Sequence, residues 1–231
     1  MTPLQIAIQL AVLVAVGIAL VGLVVRGHLR FCRWFAGYLA FVLISSSLVM
    51  LWPERFWSWT YWTFEHATLD GLKIAIALEL AYWIFLGFPA AAQSARAVIF
   101  LLLVGTLASV LALPNETGQD IGGYLLGTLR LRFEIGAAWI FTALAGLIQW
   151  YHLPVHPLHS GIMYGFVPYL LVFSTVMRAV ADYGWSQWLV TIEPAAYLAA
   201  CGCWAWTAWR PAPVVGPAVA LLQPWRVRAR C

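Results

Sequence analysis

The chain has 231 residues, of which 63% are hydrophobic and only 10% charged, with 14 Trp and a formal net charge of +4. Soluble domains carry about a quarter charged residues, so this composition excludes one and points to a chain built for lipid. The basic excess falls in short loops and at the C-terminus and forms no stripe suited to nucleic acid.

A membrane-spanning helix needs about 20 mostly apolar residues, because its backbone polar groups find no water in the bilayer core. Seven segments meet that requirement: Leu4–Val25, Trp34–Trp52, Trp59–Leu86, Arg96–Leu113, Gly123–Trp150, Leu158–Met177 and Ile192–Trp209. The first is too long for a signal peptide, has no basic residue before it and leads into "RGHLRFCR" rather than a small-residue cleavage site. It reads as a retained helix. Breaks such as "GFPAAAQS", "PNETGQD" and "HLPVHPLH" are short and rich in Pro, Gly and polar residues, so no second domain separates. The expected fold is all-α: a bundle of seven transmembrane helices over 1–210, followed by a basic tail over 211–231 lying on the membrane surface.

Orientation follows from the basic residues of the short loops. Arg26, Arg30 and Arg33 fall in loop one, Arg96 precedes helix four, and Arg210, Arg226, Arg228 and Arg230 lie at the end. This predicts an outside N-terminus and an inside C-terminus, in a bacterial inner membrane. Trp52, Trp57, Trp59 and Trp62 mark the outer boundary, and Trp150, Tyr151, Trp206 and Trp209 the inner one, as amphipathic rings do at headgroup depth.

Helix three breaks the pattern, since "YWTFEHATLDGLKIAIALELAYWIF" carries Glu65, His66, Asp70, Lys73 and Glu79. A charge at the bilayer centre costs about 2.5 kcal/mol or more, so such groups face protein or water and pair. At about 100° per residue all five fall on one half of the helix, with Phe64, Ala75, Leu78 and Tyr82 on the other. The charged half is expected to face inward. With a rise of about 1.5 Å per residue, Asp70 and Lys73 reach depths comparable to Arg130, Arg132 and Glu134 at the start of helix five. Asp70–Lys73 is an i, i+3 pair and Arg130–Glu134 an i, i+4 pair. The eight residues are therefore either a binding site in the outer half of the bundle or a sealed ion-pair network. Glu79 stands deepest, without a local partner.

Other polar features suggest structure. In "TIEPAAY", Thr191, Glu193 and Pro194 have the pattern of an N-cap, an acidic first helical turn and an early-helix proline. Pro168 interrupts helix six, and Gly123 with Gly127 forms a GxxxG pair. His152, His156 and His159 are interrupted by Pro154 and Pro157, and read as an aqueous loop cluster rather than a metal site. Cys32, Cys201, Cys203 and Cys231 form no disulfide framework. No cofactor is expected, and no metal or nucleophile motif supports an enzyme.

The order of these features resembles a family of uncharacterised seven-helix membrane proteins associated with acidobacterial genomes. The resemblance is carried by "FCRWFAGYLAF" after a basic loop, "YWTFE" opening and "ALELAYWIF" closing helix three, and "LRLRFEIG" opening helix five, over about Arg26 to Arg210. It implies a seven-helix fold and carries over no established activity or catalytic residue, and Lys73 departs from its pattern. A retinal protein is excluded, because Lys73 is the only lysine and it is not in the last helix. Three functions remain: a receptor-like module binding a small molecule or ion between helices three and five, a subunit of a larger complex with structural charges, or a transporter or membrane enzyme. The first is favoured, with the bilayer and a membrane or cytoplasmic protein as partners.

Overall fold

The computed structural model describes residues 3–56, 58–85, 89–111, 130–153, 155–184 and 186–211. Every regular element among them is helical. The long helices are α1 (Pro3–Val25), α2 (Arg33–Leu51), α3 (Trp59–Phe85), α4 (Pro89–Leu111), α5 (Arg130–Trp150), α6 (Pro157–Tyr183) and α7 (Gln187–Trp209). A 3₁₀ turn at His28–Arg30 links α1 to α2, and one helical turn at Pro53–Phe56 links α2 to α3. Among the described residues four stretches are long and apolar enough to cross a membrane: Pro3–Val25, Arg33–Leu51, Arg132–Trp150 and Pro157–Val180.

Several helix starts differ from expectation. Helix α4 begins at Pro89 rather than Arg96. Proline at a helix's first position loses no hydrogen bond, and the alanines that follow are the strongest helix formers, so "PAAAQS" extends the helix instead of breaking it. Helix α7 begins at Gln187 with Ser186 as N-cap, and Pro194 lies inside it. Thr191 and Glu193 are therefore interior residues, not a cap and first turn. Gly123, Gly127 and the expected tail from 212 onward lie outside the described residues.

The helices close into a bundle. Helix α1 packs on α2 and α7, α7 on α6, α6 on α5, α5 on α3 and α3 on α2, while α4 lies against α5 and, more lightly, α3. Small residues permit the closest approaches. Gly161 and Gly165 of α6 receive Thr207 and Trp204 of α7, so that a Cβ on either glycine would overlap those side chains. The Trp204 Nε1–H donates to the Ile162 carbonyl at 3.3 Å, and Trp209 reaches across Gly22 to donate to the Ile18 carbonyl at 3.0 Å. Phe35, Tyr38, Phe166 and Trp204 meet edge to face or tilted at the centre, and the Phe141 ring stacks on Phe166. Outward, Val14, Leu51, Phe100, Trp139 and Tyr164 are exposed. An apolar surface this extensive is stable only against lipid or another protein.

Candidate functional site

The outward face of α3 is as the helical angles require: Phe64, Leu78 and Tyr82 are exposed. On the opposite face Lys73 heads a buried stripe that continues through Ile76, Ala77 and Leu80. Helix α5 repeats the spacing, with Glu134 heading Ala137, Ala138 and Phe141. In both helices the charged residue sits at i of an i, i+3, i+4, i+7 apolar face, so burying the face carries the charge inward with it.

The two charges meet. The Lys73 Nζ donates to Glu134 Oε1 and, at 3.1 Å, to Asp70 Oδ1. Lys73 is 4% exposed and Glu134 only 2%, so the pair is screened by protein rather than by water. The second carboxylate oxygen, Glu134 Oε2, is buried and has no hydrogen-bond partner among the described residues. A buried acceptor without a donor is costly, more so when charged. The site is thus a carboxylate satisfied on one oxygen and open on the other.

Of the remaining candidates, Glu79 is bound elsewhere. Glu79 accepts the backbone N–H groups of Arg33 at 2.9 Å and Trp34 at 3.0 Å. It therefore caps the N-terminus of α2, where the N-cap residue Cys32 supplies no side-chain bond. Glu79, expected to lack a local partner, lies near the end of α3 and is held by the start of α2, the favourable place for an anion. Glu65 and His66 are half-buried, nearer the start of α3, and neither is a partner of Lys73. The His66 ring meets Trp62 edge-on with centroids 4.9 Å apart. Arg132 lies about 200° around α5 from Glu134, and lines a groove of about 340 Å³ with Leu101, Thr106 and Trp139 on the α4 side. Arg130 opens α5, and its side chain lies outside the described residues.

A second polar set escaped the sequence reading. The Tyr38 and Tyr197 hydroxyls are 3.1 Å apart, the Tyr197 and Tyr169 ring centroids 5.0 Å apart, and the Tyr169 hydroxyl donates to Glu193 Oε1 at 3.2 Å. A thread of tyrosine contacts therefore links α7 to α6 and to α2. Tyrosines in an apolar segment read as aromatics, and only packing brings their hydroxyls together.

The histidines are also redistributed. His152 is exposed, with a positive φ of 49°, whereas His156 is half-buried and His159 buried. The latter two gather with His28 of the first loop, at centroid distances of 5.7 Å for His28–His156 and 5.8 Å for His156–His159. The loop-cluster expectation holds for His152 alone, because the 3₁₀ turn folds His28 over the start of α6. Burial, and secondarily the Arg26 charge, lowers the His28 pKa below its ordinary 6.5. Burial raises the Cys32 thiol well above its ordinary pKa, with the Glu79 charge adding to the shift, which leaves it protonated and unreactive. Among the described residues no group of three His, Cys, Asp or Glu is placed to hold a metal ion.

No protein-family model, curated protein or solved structure matches the chain.

Proposed function

We propose that the chain is a seven-span integral membrane protein, N-terminus outside, whose polar site between α3 and α5 binds a proton or small cation. The observation that carries this reading is Glu134: a 2% exposed carboxylate with Oε1 on Lys73 and Oε2 without a hydrogen-bond partner among the described residues. An occupant that brings a hydrogen-bond donor or a positive charge to Oε2 satisfies the orphaned acceptor, and intramembrane ionisable groups characteristically mark ion and proton paths. Seven spans are supported by the seven long helices among the described residues, four of which contain stretches long and apolar enough to cross a membrane.

The competing reading makes the chain a membrane subunit in which Lys73 merely clamps α3 to α5. It draws on the cavities at Arg132 and at Glu79, neither of which is lined by Lys73 or Glu134. Thermal unfolding in proteoliposomes separates the two, because a ligand of the folded state raises the midpoint in proportion to RT ln(1 + [L]/Kd). At fixed pH, the binding reading expects an alkali cation or a small ammonium ion to raise the midpoint of the native protein and not of Glu134→Gln, and on acidification it expects the midpoint to fall less in the native protein than in Glu134→Gln. Equal responses of both proteins to the whole panel favour the clamp.

A further inference from the structure

We propose that the cavity between the first turn of α2 and the last turns of α3 is a headgroup site for an anionic phospholipid. The cavity holds about 570 Å³, within the range of roughly 300–1,000 Å³ typical of small-ligand sites. Arg30 and Arg33 stand on one side, and Trp34, Tyr82 and Trp83 supply ring walls. Helix α2 begins and α3 ends here, so the cavity sits at a membrane boundary rather than at mid-depth. Its apolar side, Ala75 and Leu78, continues toward the bilayer core, and Leu78, Trp34 and Tyr82 are open to lipid.

The charge balance sets the ligand class. Glu79 shares the cavity, but both its oxygens are taken by the backbone N–H groups of Arg33 and Trp34, where the carboxylate offsets the positive end of α2. Among the described residues neither Arg30 nor Arg33 forms a salt bridge. Two guanidiniums facing one carboxylate leave one positive charge, which matches the single negative charge of a phosphodiester. Arginine holds such a group through paired N–H donors. Trp and Tyr favour the same depth, and the acyl chains run down over Ala75 and Leu78. A zwitterionic lipid brings a second cation into a site that is already net positive and is disfavoured.

The full-length chain is reconstituted in phosphatidylcholine vesicles carrying a trace of photoactivatable phosphatidylglycerol or photoactivatable phosphatidylcholine. Cross-links are then mapped by mass spectrometry. The anionic probe is expected to label residues 30–34 and 75–83 in preference to the zwitterionic one, with the preference falling about fivefold for each guanidinium removed in Arg30→Gln and Arg33→Gln. Arg26→Gln, on the same loop but outside the cavity, is expected to keep it. Ala75→Trp, which fills the cavity without altering charge, is expected to lower labelling by both probes. Equal labelling by the two probes overturns the proposal, as does a preference that survives Arg30→Gln/Arg33→Gln. Loss of labelling in added inorganic phosphate but not in chloride of matched ionic strength also overturns it, by assigning the site to a free anion.

Discussion

Lys73 does more than its neighbour Asp70 would require. An Asp70–Lys73 pair along one helix is a local interaction, but the Nζ also holds Glu134 of α5, so removal of the ammonium strands a carboxylate that is 2% exposed. Lys73→Met is expected to destabilise the bundle by about 3–5 kcal/mol, the usual consequence of breaking one side of a buried pair, while Lys73→Met/Glu134→Leu recovers most of the loss. Denaturation of the reconstituted variants measures both. Replacing Asp70 and Lys73 together gives no such recovery, because Glu134 is still stranded. His28 gives a pH signature of its own. Its pKa is lowered in the folded state, by burial first and Arg26 second, so the unfolded chain binds the proton more readily. Stability is therefore fully present above the ordinary pKa of 6.5 and is lost as pH falls below it toward the folded value. Thermal midpoints between neutral and mildly acid pH are expected to fall less steeply in His28→Gln than in the native protein.

At the scale of elements, the bundle is closed by glycines and capped by a side chain from another helix. The α6–α7 seam depends on Gly161 and Gly165, four residues apart, which is the small-xxx-small spacing of close helix pairs in membranes. Gly165→Ala is expected to cost about 1–3 kcal/mol through overpacking against Trp204. Gly17→Ala, where an added Cβ meets nothing within 4 Å, is expected to be neutral or slightly stabilising. A combined Gly165→Ala/Trp204→Phe chain that regains stability would locate the strain in the indole. The sequence contains this pair in plain view as "GIMYG", but GxxxG is common enough in apolar segments that Gly123–Gly127 looks equally convincing. The facing Thr207 and Trp204 are what show that Gly161 and Gly165 pack. The α2 N-terminus teaches the complementary lesson: Cys32 offers no cap, and the carboxylate that replaces it comes from 46 residues away, beyond the reach of any local pattern.

For the whole molecule, the helical class and the inward face of α3 were legible because apolar length and 3.6-residue periodicity are properties of the chain itself. Phe64, Leu78 and Tyr82 point out and Lys73 points in, as their angles demand. Partners were less legible, since they depend on which helices meet. Depth alone grouped Arg132 with Glu134, but two residues of helical rotation send Arg132 to the α4 side. Thr191, Glu193 and Pro194 imitated a helix start while the helix ran through them from Gln187. The tyrosine thread was hidden because a hydroxyl's role is set by its neighbours. The proposed function rests on Glu134, and infrared difference spectroscopy of the protein in proteoliposomes tests its role most directly. A step to acid or addition of cation is expected to change the carboxyl bands of the native protein and of Glu65→Gln, with the change lost in Glu134→Gln. The same difference spectrum in all three proteins would contradict the account and leave the Lys73–Glu134 pair as a structural clamp.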